Sequence, residues 1–368
     1  MARYRSYRDI DWVQLVLALA ICSLGFLQIY SATSGTEFDQ AWWRQLVWVG
    51  LGLVVMWIVS LFDYHNLLDR VPLLYVLSLV SLVALLVLGA TVANTRRWIP
   101  IPGGVNFQVS EFVKLVIILL VARYLTDLKT ERPQVRDLLQ LGGLVLVPTL
   151  LVIKQPDLGT ALTYGVILVV GVFLAGLPVR YWLVLGLIAA VLLPAGWFVL
   201  KDYVLKDYQI ARLDTFMNPG RDPQGAGYQV IQSKIAIGAG GMWGQGVTQG
   251  SQTQLRFLPV AHTDFVFSAF GEEHGFVGVV VALGLYFLLL MQIVQNAQTA
   301  PDRAGMYICM GLAGLLLFQL LVNVGMVVGR MPTTGLPLPL MSYGGSGTLS
   351  VFAMLGLVNN VRLQRFVN

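Results

Sequence analysis

The 368 residues are 57% hydrophobic and 12% charged, against about 25% charged in ordinary water-soluble domains. Apolar runs of about 18 residues or more, each long enough as a helix to cross ~30 Å of hydrocarbon, exclude a soluble α/β domain. The net charge of +5 calls for no nucleic-acid partner, because its placement along the chain carries its meaning.

Hydropathy and helix breakers predict an all-α polytopic membrane bundle of ten spans over residues 1–368, at 12–30, 42–62, 71–90, 110–126, 138–153, 158–176, 180–200, 263–295, 304–329 and 343–361. The first follows Arg3, Arg5 and Arg8, as a signal peptide would, but its length makes it a retained span. Basic residues gather in one set of loops, Arg70, Arg123, Arg136, Arg303 and Arg362 among them. The short opposite loops and span mouths hold only Arg44, Arg96, Arg97, Lys154 and Arg330, and the six basic residues of the long 201–262 segment are discounted for its length. The positive-inside rule then puts both termini in the cytoplasm. One large loop, 201–262, lies outside between spans 7 and 8, and its glycine-broken middle reads as short amphipathic helices covering the bundle.

Set against that topology, the polar anomalies fall on the outer mouth. Arg44 opens span 2. "NTRRWIPIPGG" joins spans 3 and 4, and "SEFVKL" follows with Glu111 and Lys114 three residues apart on one helix face. "IKQPDLGT" joins spans 5 and 6, and "GRMPTTGLPLPLMSYGGSG" joins spans 9 and 10. Buried charges are costly unless paired or hydrated, and their convergence on one face points to a site there.

Individually these residues have plainer readings too. Glu111 and Lys114 form either a self-neutralising pair or a lysine lent to a phosphate beside its orienting acid. Arg44, Arg96 and Arg97 read as headgroup anchors or, with Lys114, as a pyrophosphate clamp. Asp157 suits a cap for the helix beginning at Leu158. Asp264, in "LPVAHTDFVFSAFGEEHG", suits the N-terminus of span 8 or a reactive acid at its mouth. Glu272 lies eight residues on, about 12 Å along a continuous helix, which separates it and Glu273 from Asp264 as deeper structural or gating acids. Ser342 and Ser346 have no histidine near them in sequence and are assigned hydrogen bonding. No HxxxH, HExxH, CxxC or GxxxxGK[ST] pattern occurs, so zinc and nucleotide sites are unsupported, and Cys22 and Cys309 lie within spans.

"FLPVAHTDFVFSAFGEEHGF", "KQPDLGTAL", "GAGYQVIQSKIAIGAGG" and "MPTTGLPLPLMSYGGSG", in this order and spacing, resemble the SEDS family of bacterial wall proteins over essentially the whole chain. "GSQTQLRFLPVAHTDF" and the prolines Pro337 and Pro339 resemble its elongation members more than its division members. Val109 stands where the family commonly has proline. The resemblance implies a peptidoglycan glycosyltransferase that polymerises lipid II on the outer face of the cytoplasmic membrane, with a class B penicillin-binding protein as partner. It implies Asp264 as the essential acid, with Arg44, Glu111, Lys114 and Asp157 in a central cavity. Arg97 and Ser342 join the substrate-binding candidates from the reading of the residues above. A divalent cation, Mg²⁺ or Mn²⁺ with unassigned ligands, accompanies that activity in the family. A lipid II flippase would instead need polar residues continuing to the cytoplasmic face, a division polymerase would share the chemistry, and a scaffold would leave the costly charges without a use.

Overall fold

In the computed structural model, residues 10–92, 95–101, 105–128, 133–183, 186–187, 216 and 225–365 are described. Helices α1 (Trp12–Thr33), α2 (Ala41–Leu61), α3 (Tyr64–Asp69) and α4 (Val71–Leu88) lead into strands β1 (Ala90–Val92), β2 (Thr95–Ile101) and β3 (Val105–Phe107). Then come α5 (Val109–Thr126), α6 (Val135–Lys154), α7 (Leu158–Leu174), α8 (Ala226–Gly240), α9 (Ser251–Gln254), α10 (Val266–Gln298), α11 (Arg303–Val327) and α12 (Gly345–Gln364). Five of these, α1, α2, α6, α10 and α11, are long and apolar enough to cross a membrane, and α7 and residues 71–87 of α4 are shorter apolar helices. Most of the expected seventh span at 180–200, the loop up to residue 224, Arg3, Arg5, Arg8 and the side chain of Arg96 lie outside the described residues.

Helix starts follow from local chemistry. Asp11, Asp157 and Asp302 accept a backbone N–H of the first turns of α1, α7 and α11, which satisfies donors that have no intrahelical partner. Pro72 sits in the first turn of α4, where its missing N–H costs nothing. The helices keep apolar residues on both sides. Ile21, Leu119, Tyr164 and Phe352 are buried, while Val16, Val54, Leu73 and Phe287 remain exposed, as expected of helices packed together in a hydrocarbon solvent.

The expectation of a purely helical fold is corrected at residues 90–107. The link between α4 and α5 forms a small antiparallel sheet in the order β1-β2-β3, with Ile99 opposite Phe107 and Ile101 opposite Val105. Proline and β-branched residues in "RRWIPI" disfavour helix and favour a short edge-rich sheet.

Two polar layers mark the two ends of the bundle. At the end carrying the N-terminus, buried Asp11 accepts from Gln292 and Asn296 of α10 and pairs with Arg362 of α12 at 3.2 Å. Its backbone N–H donates to Asn359. His65 bridges Asp63 and Asp302 at the same end. At the opposite end, the segment joining α11 to α12 descends into the bundle. Gly25 of α1 packs so closely there that a Cβ would stand 2.5 Å from the Met341 carbonyl oxygen. Small residues permit such close approach. Gly25→Ala is expected to destabilise the fold by about 1–3 kcal/mol, because backbone rather than a flexible side chain must move. Thermal melting in detergent reads this, and an unchanged midpoint would show that the segment has slack.

Helix α10 is interrupted at Gly275, whose φ of 64° and ψ of −165° lie where a side chain is disfavoured. The backbone groups freed by the break are taken up by residues 241–246. Phe276 and Val277 donate to the carbonyls of Gly241 and Met242, while Gln245 and Gly246 donate to those of Glu272 and Glu273. These four bonds satisfy backbone groups that the break would otherwise leave open.

Candidate functional site

The site builds around residues 333–347, which contact Asp264, Glu111, Gln108, Asn323 and Gln45 at the end opposite the N-terminus. Asp264 lies in the turns before α10, whose N-cap is Phe265 without a side-chain cap bond. The expectation that Asp264 begins the helix is therefore corrected: it belongs to a loop held by tertiary contacts. Its carboxylate flanks Gly335, with Oδ2 3.6 Å from where a Cβ would stand. Ser342 Oγ donates to the Thr263 carbonyl at 2.7 Å and accepts the Leu338 N–H at 2.8 Å, and Tyr343 N–H donates to the His262 carbonyl. Ser342 thus ties the loop before α10 to the α11–α12 segment.

Glu111 and Lys114, one turn apart on α5, form an ion pair of 2.6 Å, with Lys114 fully buried. Helix α5 packs among α4, α7, α11 and α12, so its first turn meets protein on most sides. Lys114 Nζ has no hydrogen-bond partner among the described residues beyond this ion contact. Ser350 donates to the Glu111 carbonyl, and Glu111 Oε2 lies 3.8 Å from where a Cβ on Gly347 would be.

Asp157 combines the cap expected of it with a second role. Its Oδ1 accepts from Thr160 N–H, and its Oδ2 accepts from Thr160 Oγ1 and from Gln108 Nε2 at 2.7 Å. Arg97 approaches the same oxygen at 3.7 Å and lies over the ring of Trp98. Gln108 N–H donates to Ser346 Oγ. The α7 entrance reaches the Asp264 region through Gly159, which stands against Leu336 and the Thr334 carbonyl. Two charged clusters, Arg97–Asp157 and Glu111–Lys114, therefore join Asp264 through one stretch of chain. Arg44 is set apart: it is exposed on the first turn of α2, with no ion pair among the described residues. Its neighbour Gln45 reaches the site instead, donating to Thr348 Oγ1 and accepting the Gly344 N–H.

Glu272 and Glu273 lie on the uninterrupted first stretch of α10, before the break at Gly275, and both take structural partners apart from Asp264. Glu272 accepts from the backbone N–H groups of Gln252 and Thr253 and from the hydroxyls of Ser251 and Thr253, fastening α9. Glu273 accepts from Gln28 and Ser31 near the end of α1. Glu272→Gln turns an amide NH₂ towards donors and is expected to cost about 1–3 kcal/mol. Hydrogen exchange at the Gln252 and Thr253 amides should accelerate, and unchanged protection would contradict the fastening role.

Gln45, Gln108 and Asn323 escaped the sequence reading. The signal was present, since amides buried in apolar helices carry the same desolvation cost as the charges. Among the described residues, no group of three or more His, Cys, Asp or Glu side chains is arranged to hold a metal.

Apolar helices long enough to span a bilayer, with buried polar clusters between them, define a multi-pass membrane protein. Comparison with known proteins narrows the class. The family model for cell cycle proteins of the FtsW, RodA and SpoVE type matches residues 11–366, and the chain belongs to that family. It is 33% identical to the peptidoglycan glycosyltransferase RodA of Treponema pallidum, covering 99% of this chain and 100% of that protein. It is 39% identical to the probable peptidoglycan glycosyltransferase FtsW of Trichlorobacter lovleyi, over 96% and 93%. Among solved structures, one described as the structural coordination of polymerization and crosslinking by a peptidoglycan synthase complex superposes with a TM-score of 0.83 at 39% identity, covering 98% of this chain and 99% of that one. Rod shape determining protein RodA of Thermus thermophilus gives 0.71 at 34% identity, over 98% and 99%.

Proposed function

We infer that this chain is a peptidoglycan glycosyltransferase of the elongation type, polymerising lipid II at the outer face of the cytoplasmic membrane with Asp264 as general base. The observation that carries the reading is the position of Asp264, on a loop outside regular helix, flanking Gly335 on the segment that also contacts both charged clusters. A family of named peptidoglycan glycosyltransferases supports the reaction. In this reading ten spans leave both termini cytoplasmic, and residues 201–262 roof the outer mouth.

The chemistry follows from the groups. The Asp264 carboxylate takes the proton from the 4-hydroxyl of the acceptor sugar as that oxygen bonds to C1 of the lipid-linked donor. The C1–oxygen bond to the polyprenyl pyrophosphate breaks on the opposite side, so one-step displacement inverts an α-linked donor to a β-linked product. Charge growing on the leaving oxygen is met by cations at this end, Lys114 first because beyond its ion contact with Glu111 its Nζ has no hydrogen-bond partner among the described residues, then Arg97 and Arg44. Ser342 contributes by holding the loop. No step depends on a metal. A divalent cation would have to arrive with the pyrophosphate rather than on a ready ligand set. A membrane-embedded enzyme suits such a substrate, since the lipid tail stays in the bilayer while the sugars emerge.

A class B penicillin-binding protein is the proposed partner, supported by the similarity to a synthase complex that coordinates polymerization and crosslinking. The test is polymerisation of pure lipid II by the purified chain without any partner polymerase. Glycan strands in the wild type and none in Asp264→Ala are expected, and normal strands in the variant would remove Asp264 from the reaction.

A further inference from the structure

One fully buried polar side chain at this end takes no part in the steps above: Asn323, in the last turns of α11. Its Nδ2 donates to the backbone carbonyl of Asp264 at 3.0 Å and to that of Leu336 at 2.9 Å. Both partners are acceptors, so only the amide NH₂ can face them. The Oδ1 is buried without a partner among the described residues, a cost that a leucine of similar size would avoid. The value of an amide at this position therefore lies in the two carbonyls it joins. They belong to segments 72 residues apart: the loop carrying Asp264 and the stretch beginning at Gly335, which flanks its carboxylate.

We propose that Asn323 is the positioning residue for Asp264, fixing the catalytic loop against residues 335–336 from the rigid end of α11. The proposal rests on Asp264 being the general base. Asp264 precedes the first helical residue of α10, Val266, so helical hydrogen bonding does not set its place. The bond from Asn323 ties the Asp264 carbonyl to α11, and the second bond holds the wall that the carboxylate flanks. Ser342 makes a parallel tie between Thr263 and Leu338 but does not reach Asp264 itself. With one tie lost, the loop stays attached while the carboxylate loses its registry. Misplacement of a reacting group by about 1 Å can lower a rate by ~100-fold.

The test uses full-length Asn323→Leu and Asn323→Ser with lipid II, rates being normalised to the folded fraction. Positioning predicts kcat lower by roughly 10-fold or more with KM little changed, and a shifted pH at which the rate rises. In an Asp264→Ala background, Asn323→Leu should produce no further loss. Unchanged kcat, a rise in KM alone, or failure of both variants to fold would overturn the positioning role. Wild-type kcat in the Asn323 variants beside an inactive Asp264→Ala defeats this proposal alone, whereas an active Asp264→Ala defeats the assignment of the base.

Discussion

Asp264→Ala is expected to lower lipid II polymerisation by about 10²–10⁴-fold, the range that a positioned general base contributes. Asp264→Asn should lose nearly as much, because the amide keeps the size but cannot take up the acceptor proton. Neither change should unfold the chain. The Asp264 carbonyl, which anchors the loop through Asn323, belongs to the backbone and survives substitution, and the side chain is only half-buried. The measurement is initial strand formation alongside thermal melting of the same preparations. Loss of activity with an unchanged melt supports the base, whereas parallel loss of both would mean that Asp264 acts through structure. Retention of rate in Asp264→Asn would exclude proton abstraction by this residue even if the alanine variant were inactive.

The second large effect concerns the buried pair on α5. Lys114→Met leaves the Glu111 carboxylate enclosed without its counter-charge and is expected to destabilise the fold by about 3–5 kcal/mol. The double change Glu111→Gln with Lys114→Met removes both charges and should recover much of that stability, since a buried pair can often be replaced by neutral groups. Activity should not recover with it, because the proposed role of Lys114 is to meet charge on the departing pyrophosphate. Comparing melting and polymerisation in the single and double variants separates the two contributions. An active double variant would reduce the pair to a structural one, and a Lys114→Met protein as stable as wild type would show that Glu111 finds another partner.

Both predictions begin from residues that stand out in the sequence, and the outcome for each differs in kind. The i, i+3 spacing of Glu111 and Lys114 is local, and so is the cap that Asp157 gives to α7. Such relations are readable because helix geometry alone places the partners. Arg97 meeting Asp157 crosses 60 residues; the separate loops were legible, but not their encounter. Arg44 had the same sequence credentials and stands exposed on α2, joined by no ion pair among the described residues. A loop arginine's position depends on how the helix below it is rotated, which hydropathy does not specify. The sheet at 90–107 was missed because β1 and β3 are three residues each, too short for alternation to be recognised, and the seven residues of β2, TRRWIPI, carry a proline and no apolar–polar alternation.

By itself the sequence determined a helical membrane bundle, the start of α7 at the capping Asp157, and the pairing of Glu111 with Lys114 on one helix face. Hydrocarbon permits few backbone arrangements, so long apolar runs leave little choice. Only the tertiary structure decided what each polar residue does there. Glu272 fastens α9, because packing brings the donors of residues 251–253 against its carboxylate. Asp264 stands in a loop held by Asn323, 59 residues away. Buried donors and acceptors must find partners wherever the packed chain brings them, and in this protein those partners lie on other helices, out of reach of any local pattern.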